Sequence, residues 1–119
     1  MTGEGKSAAA QILKGHLDLL LLATLQASPA HGYAIIERLR LQSNGTFDLP
    51  EGTIYPALHR LEQAGLLASQ WSEEHARRRR VYILTARGRA ALSSGRKEWL
   101  AFAQGINAIL FGEVQSWQI

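Results

Sequence analysis

The segment Glu51-Gly52-Thr53-Ile54-Tyr55-Pro56-Ala57-Leu58-His59-Arg60-Leu61-Glu62 decides how the rest of this 119-residue chain is read. Ile54, Leu58 and Leu61 recur at +4 and +3, the spacing of one face of an α-helix. Pro50 suits a first helical position, and Gly65 is placed to end the helix. Pro56 removes an amide donor and crowds the carbonyl four residues back, which belongs to Gly52, a residue with no side chain to add to the distortion. With the apolar stripe given to a core, Thr53, Tyr55, Pro56, His59, Arg60 and Gln63 point elsewhere. A hydroxyl, a phenol and an imidazole near a helix N-terminus can donate to phosphate oxygens or base edges, beside backbone amides that lack helical partners. Arg60 suits either task. The competing reading has Tyr55 and His59 simply close the edge of the core.

Two helices are expected upstream. From Ile12 the chain turns apolar, with Leu13, Leu17, Leu20, Leu21, Thr24 and Leu25 at helical spacings, until Ser28-Pro29 stops it. Ile35, Ile36 and Leu39 form a second stripe, with Glu37, Arg38, Arg40 and Gln42 on its wet side. Ser43-Asn44-Gly45 then supplies residues that accept positive φ. Downstream the period changes to that of strands: Leu66 to Glu73, a charged connection, and Arg80 to Leu84. Thr85 caps a further helix, although Gly88 stands where a capping-box Glu would complete the motif.

This order predicts a mainly α fold with a small β-hairpin: a winged helix-turn-helix, α-α-α-β-β-α, plus a C-terminal helix. The expected organisation is a loose tail over 1–11, a DNA-binding domain over 12–84 and a pairing helix over 85–119. In that last helix Leu92, Trp99, Ala103, Ile106 and Leu110 fall at steps of 7, 4, 3 and 4, an a/d-like seam continued at Trp117. Leu100, Phe102, Ile109 and Phe111 widen the stripe beyond what a lone surface helix leaves in water, so a homodimer is expected.

Charge is modest in total, 13 Lys+Arg against 10 Asp+Glu, and concentrated in place. Arg77, Arg78, Arg79, Arg80, Arg87, Arg89, Arg96 and Lys97 lie in a stretch with no acidic residue, a footprint for phosphate. Arg77 to Arg80, expected at the hairpin tip, repel one another unless a polyanion or solvent relieves them. There is no cysteine, so disulfides, thiolate nucleophiles and cysteine metal sites are excluded and a reducing cytoplasm is the expected location. The apolar run Leu19 to Ala23 falls far short of the roughly 20 residues that cross a bilayer, and Met1 to Ala10 lacks the apolar core of a signal peptide. His16, His31, His59 and His75 sit on separate elements without metal-ligand spacing, and neither a triad nor a Gly-rich phosphate loop is present. No enzyme, cofactor or metal site is expected.

The residues also resemble a known family. Leu13-Lys14-Gly15-His16-Leu17-Asp18-Leu19-Leu20, Pro29-Ala30-His31-Gly32-Tyr33, the segment from Glu51 to Glu62, and Arg78-Arg79-Arg80-Val81-Tyr82-Ile83-Leu84-Thr85 with Gly88-Arg89 are similar to PadR-family regulators, in the short form with one C-terminal helix. The resemblance runs from about Leu13 to Leu92. It implies a homodimeric transcriptional repressor that binds double-stranded operator DNA with an inverted repeat and lets go when a planar aromatic or phenolic small molecule binds. It also places Tyr33 and the Thr53-Ile54-Tyr55-Pro56 turn at DNA, with Lys14 near phosphate. Leu49 departs from the family pattern, standing where Ser or Thr caps the third helix, so Asp48 is left to cap.

The DNA-binding set is therefore Lys14, Tyr33, Thr53, Tyr55, Pro56, His59, Arg60, Arg77, Arg78 and Arg79. Trp99 is the candidate effector residue, since an indole near a two-fold axis stacks on a planar guest; plain interface packing is the competing use. Two other functional classes fit the same pattern: a winged-helix adaptor whose basic wing meets an acidic protein, and a sensor whose principal activity is drug binding.

Overall fold

A computed structural model describes residue 13, residues 15–74 and residues 77–112. The expected tail at 1–11, together with Lys14, His75 and Trp117, lies outside the described residues. The described elements run α1 (Leu17–Thr24), β1 (Ala30–His31), α2 (Gly32–Gln42), α3 (Glu51–Gln63), β2 (Leu67–Glu74), β3 (Arg77–Leu84) and α4 (Ala86–Phe111). This is the winged helix-turn-helix order, and no helix among the described residues is long and apolar enough to cross a membrane.

The apolar run expected from Ile12 does not continue as one helix into α1. Gly15 adopts φ +93°, left-handed backbone that glycine enters without steric cost, and α1 starts two residues later. At its other end the Thr24 hydroxyl donates to the Leu21 carbonyl at 2.8 Å. The last carbonyls of a helix have no partner within it. Arg38 of α2 supplies one: its Nη1 donates to the Thr24 and Ser28 carbonyls at 2.9 and 3.0 Å, and its Nη2 donates to Ser28 Oγ and the Pro29 carbonyl at 2.9 and 3.2 Å. The turn between the first two helices is thus tied to the second.

Leaving that turn, Ala30 and His31 pair with Tyr82 and Val81, so the hairpin is extended to a three-stranded antiparallel sheet of order β1-β3-β2. A strand of two residues shows no alternation, which is why the sequence reading has a hairpin alone. His31 then caps α2, its Nδ1 accepting from the Ala34 amide at 3.3 Å. The helix ends at Ser43 and turns through Asn44 and Gly45 at φ 54° and 81°, as their chemistry predicts. Asp48 does not cap α3; Pro50, in extended conformation, occupies the cap position and the helix starts without a side-chain acceptor.

The core gathers Ile35 and Leu39 from α2, Ile54, Leu58 and Leu61 from α3, and Leu67, Tyr82 and Leu84 from the sheet. The stripe expected on α3 is buried, with Ala57 added to it. β3 begins at Arg77, not at Arg80, with Arg78 opposite Glu73 and Arg80 opposite Trp71. The arginine run is half a strand and not a tip. Its base is closed by Thr85, whose hydroxyl donates to the Gly65 carbonyl at 2.7 Å and accepts from the Gly88 amide at 3.0 Å, the expected helix cap. Gly88 is required by proximity: a Cβ there would run into the Leu66 carbonyl oxygen and lie 2.7 Å from Leu84 Cδ1.

Candidate nucleic-acid interface

The outward side of α3 carries Thr53, Pro56, His59, Arg60 and Gln63, all exposed. Tyr55 is not with them. It is half-buried, and its ring lies so close to α2 that a Cβ on Gly32 would sit 2.5 Å from both Cζ and the hydroxyl oxygen. Burial first, and the Glu51 carboxylate second, raise the pKa of this phenol above its ordinary value. Tyr55 therefore seats the recognition helix against α2, the core-edge use that the sequence left open. The neighbouring Tyr33, on the first turn of α2, is 64% exposed and takes the outward place instead.

Arg60 is held by Asp18 of α1 at 2.5 Å, with both side chains largely open to solvent. Exposed pairs of this kind are worth about 0–1 kcal/mol, so a phosphate can replace the carboxylate at little cost. Nothing in the sequence linked Asp18 to α3, because the contact spans 42 residues.

Arg77, Arg78 and Arg79 are exposed along β3, and strand alternation sends them to two faces. Arg79 Nη1 lies 2.7 Å from His31 Nε2, next to the start of α2. A guanidinium only donates and a neutral imidazole has one acceptor nitrogen, so His31 accepts from Arg79 or from the Ala34 amide, not from both. On the opposite face Arg78 stacks over Trp71, its Cζ 4.4 Å from the ring centroid, and Arg80 lies over the same ring at 5.3 Å. The pairing register, with Trp71 opposite Arg80, is what puts the indole under the arginines.

The residues expected in the pairing seam divide. Leu92 is 1% exposed and belongs to the core of its own chain, and Ala103 is half-buried. Trp99, Ile106 and Leu110 are exposed, in company with Leu100, Phe102, Ile109 and Phe111. Trp99 meets His16 edge-on with centroids 5.1 Å apart and Phe102 at 6.0 Å. It lines an open cavity of about 550 Å³ between α1 and α4, together with Leu61, Leu66, Asp18 and Glu98. Among the described residues there is no cluster of three or more His, Asp or Glu side chains able to hold a metal ion.

A recognition helix with a polar outer face, an arginine-bearing wing beside it and a protruding C-terminal helix define a winged helix-turn-helix protein of the regulator type. The chain belongs to the PadR-like family of transcriptional regulators, whose model matches residues 21–94. This is a family of regulators and not of enzymes. A protein of Lysinibacillus sphaericus is 28% identical over 102 residues, covering 85% of this chain and 94% of that protein. A transcriptional regulator of Mycobacterium tuberculosis is 43% identical over 67 residues, 56% of this chain and 60% of its own. Among solved structures, a transcriptional regulator from Clostridium thermocellum superposes with a TM-score of 0.78 at 27% identity, covering 84% of this chain and 98% of that one. A PadR family regulator from Eggerthella lenta superposes at 0.73 with 31% identity, covering 84% and 86%.

Proposed function

We propose that this chain is a cytoplasmic homodimeric repressor that binds an inverted-repeat operator and is released by a planar aromatic or phenolic effector. The observation that carries the DNA-binding part is the exposure of Thr53, Pro56, His59 and Arg60 together with that of Arg77, Arg78 and Arg79 on β3. Thr53, Pro56 and His59 would meet base edges, Arg60 and Tyr33 the adjoining backbone, and Arg77 to Arg79 the flanking phosphates. Tyr55 contributes by seating the helix. Two-fold pairing through the exposed apolar side of α4 beyond Gly95 would set two recognition helices about 34 Å apart, one turn of the duplex.

Selection of duplexes from a random pool by the purified chain, followed by gel retardation, tests this. Enrichment of a palindrome is expected; no retardation at low salt would end the DNA reading and leave the adaptor. Replacing Arg78 and Arg79 with Ala should lower the slope of log affinity against log salt by roughly 0.9 per lost phosphate contact. The cavity beside Trp99 supports the effector. Quenching of indole fluorescence by planar aromatics, absent in Trp99→Phe, with loss of retardation on adding the same compound, is the outcome expected of an inducer site.

A further inference from the structure

Arg80 differs from the three arginines before it in being tied to both the recognition helix and β2. Its Nε donates to Ser69 Oγ at 2.8 Å, the Ser69 hydroxyl donates to Glu62 Oε2 at 2.7 Å, and its terminal nitrogen lies 3.7 Å from that same carboxylate oxygen. A hydroxyl has one proton and a guanidinium accepts none, so this relay has a single orientation. Glu62 is on the last turn of the recognition helix, Ser69 on β2 and Arg80 on β3. The side chains of Arg80 and Glu62 are 39% and 27% exposed, so solvent screens their attraction and the hydrogen bonds through Ser69 are what fix the geometry.

From Arg80 the chain of contacts goes on. Trp71 is its cross-strand partner, and alternation places Arg78 on the same face, so one indole lies beneath both guanidinium groups. Arg77 and Arg79 are on the other face and lie outside this stack. Every link from Glu62 to Arg78 is thus a directional contact: two hydrogen bonds, then two ring stackings.

We infer that Glu62, Ser69 and Arg80 are positioning residues that lock the wing to the recognition helix and, through Trp71, fix the direction in which Arg78 presents its charge. This inference rests on the DNA-binding reading for its purpose, though not for its geometry. On this view Arg78 contacts phosphate, Arg80 does not, and the wing and α3 approach a duplex as one rigid reader.

The geometry is tested without DNA by the NMR signal of the Arg78 Nε–H, which the Trp71 ring current moves upfield. Trp71→Leu should abolish that displacement, Ser69→Ala and Glu62→Gln should shrink it, and Ser69→Thr, which keeps the hydroxyl, should preserve it. An Arg78 signal unmoved by both Ser69→Ala and Glu62→Gln overturns the inference. With a duplex selected from a random pool by the wild-type chain, Ser69→Ala and Arg78→Ala should each reduce the salt slope by about 0.9, and the double variant by no more than either alone. Additive losses, or a salt slope reduced by Arg80→Ala as much as by Arg78→Ala, which would make Arg80 itself a phosphate contact, likewise refute it. Should the wild-type chain enrich no duplex while the Arg78 signal behaves as stated, the DNA reading fails and the relay stands as the device that couples helix to hairpin.

Discussion

Replacing Arg38 with Ala tests how the helix-turn-helix is held in place. The side chain makes hydrogen bonds of 2.9, 3.0, 2.9 and 3.2 Å to Thr24, Ser28 and Pro29, joining the C-terminal end of α1 to α2. They differ in value. Thr24 is buried, and leaving a buried carbonyl without a partner costs about 1–3 kcal/mol. The bonds to Ser28 and Pro29 are in solvent, where water replaces the guanidinium at a cost of about 0.5 kcal/mol each or less. The sum is a loss of about 1–4.5 kcal/mol, which for a domain of this size lowers the thermal midpoint by roughly 4–18 °C. Urea unfolding of both proteins at one concentration measures it, with an unchanged m-value as the sign that only stability has altered. Arg38→Lys should recover less than half, since a single ammonium cannot span the acceptors that the planar fork reaches. A loss under about 1 kcal/mol, or full recovery by Lys, would show that the carbonyls find other partners and that the turn holds itself.

Three other perturbations separate core, charge and pairing. Gly88→Ala should cost about 1–3 kcal/mol in urea unfolding, because the new methyl meets the Leu66 backbone and Leu84 and cannot be turned aside. Burial raises the pKa of both Tyr55 and Tyr82, so the unfolded chain loses phenolic protons before the folded one does: stability is complete below about pH 10 and falls as the pH rises beyond it. Tyr82→Phe should flatten that alkaline decline in stability measured against pH. Leu110→Asp, on the exposed side of α4, should yield a monomer in sedimentation without lowering the stability of the domain beneath it, given that Leu110 is 67% exposed and is not among the residues of the buried cluster.

What was legible in the sequence is what repeats. Ile54, Leu58 and Leu61 announce α3 because a helix packed on a core must repeat its apolar residues, and they are indeed buried there. Thr85 announces α4 because a capping hydroxyl has a fixed offset from the amide it serves. Contacts between distant segments leave no such mark. Tyr55 reads as outward from helical phase, yet Gly32, on another helix, makes room for its ring. Arg77 to Arg79 read as a connection because charge is rare in strands, although β2 pairs with them residue by residue along one side. Leu92 fits the seam by spacing alone, but the first turns of α4 lie against the core before the helix leaves it.

That departure bears on how an effector would act. The cavity beside Trp99 is not confined to α4: it is also lined by Leu61, which is in the buried stripe of α3, and by Leu66, whose carbonyl lies against Gly88. A guest wedged between His16 and Trp99 therefore presses on the same residues that seat α3 and the start of the hairpin. On the reading proposed above, it lowers operator affinity only to the extent that it prefers an arrangement of α1 and α4 in which α3 is seated differently, and a 100-fold loss requires about 2.7 kcal/mol of such preference. Packed interiors resist gradual deformation, so a planar molecule too thin to displace Leu61 should bind without releasing DNA, and a thicker homologue should do both. Titrating a graded series of aromatic compounds, with indole quenching for binding and retardation for release, separates the two effects. If every compound that binds also releases the duplex irrespective of its thickness, coupling does not pass through Leu61.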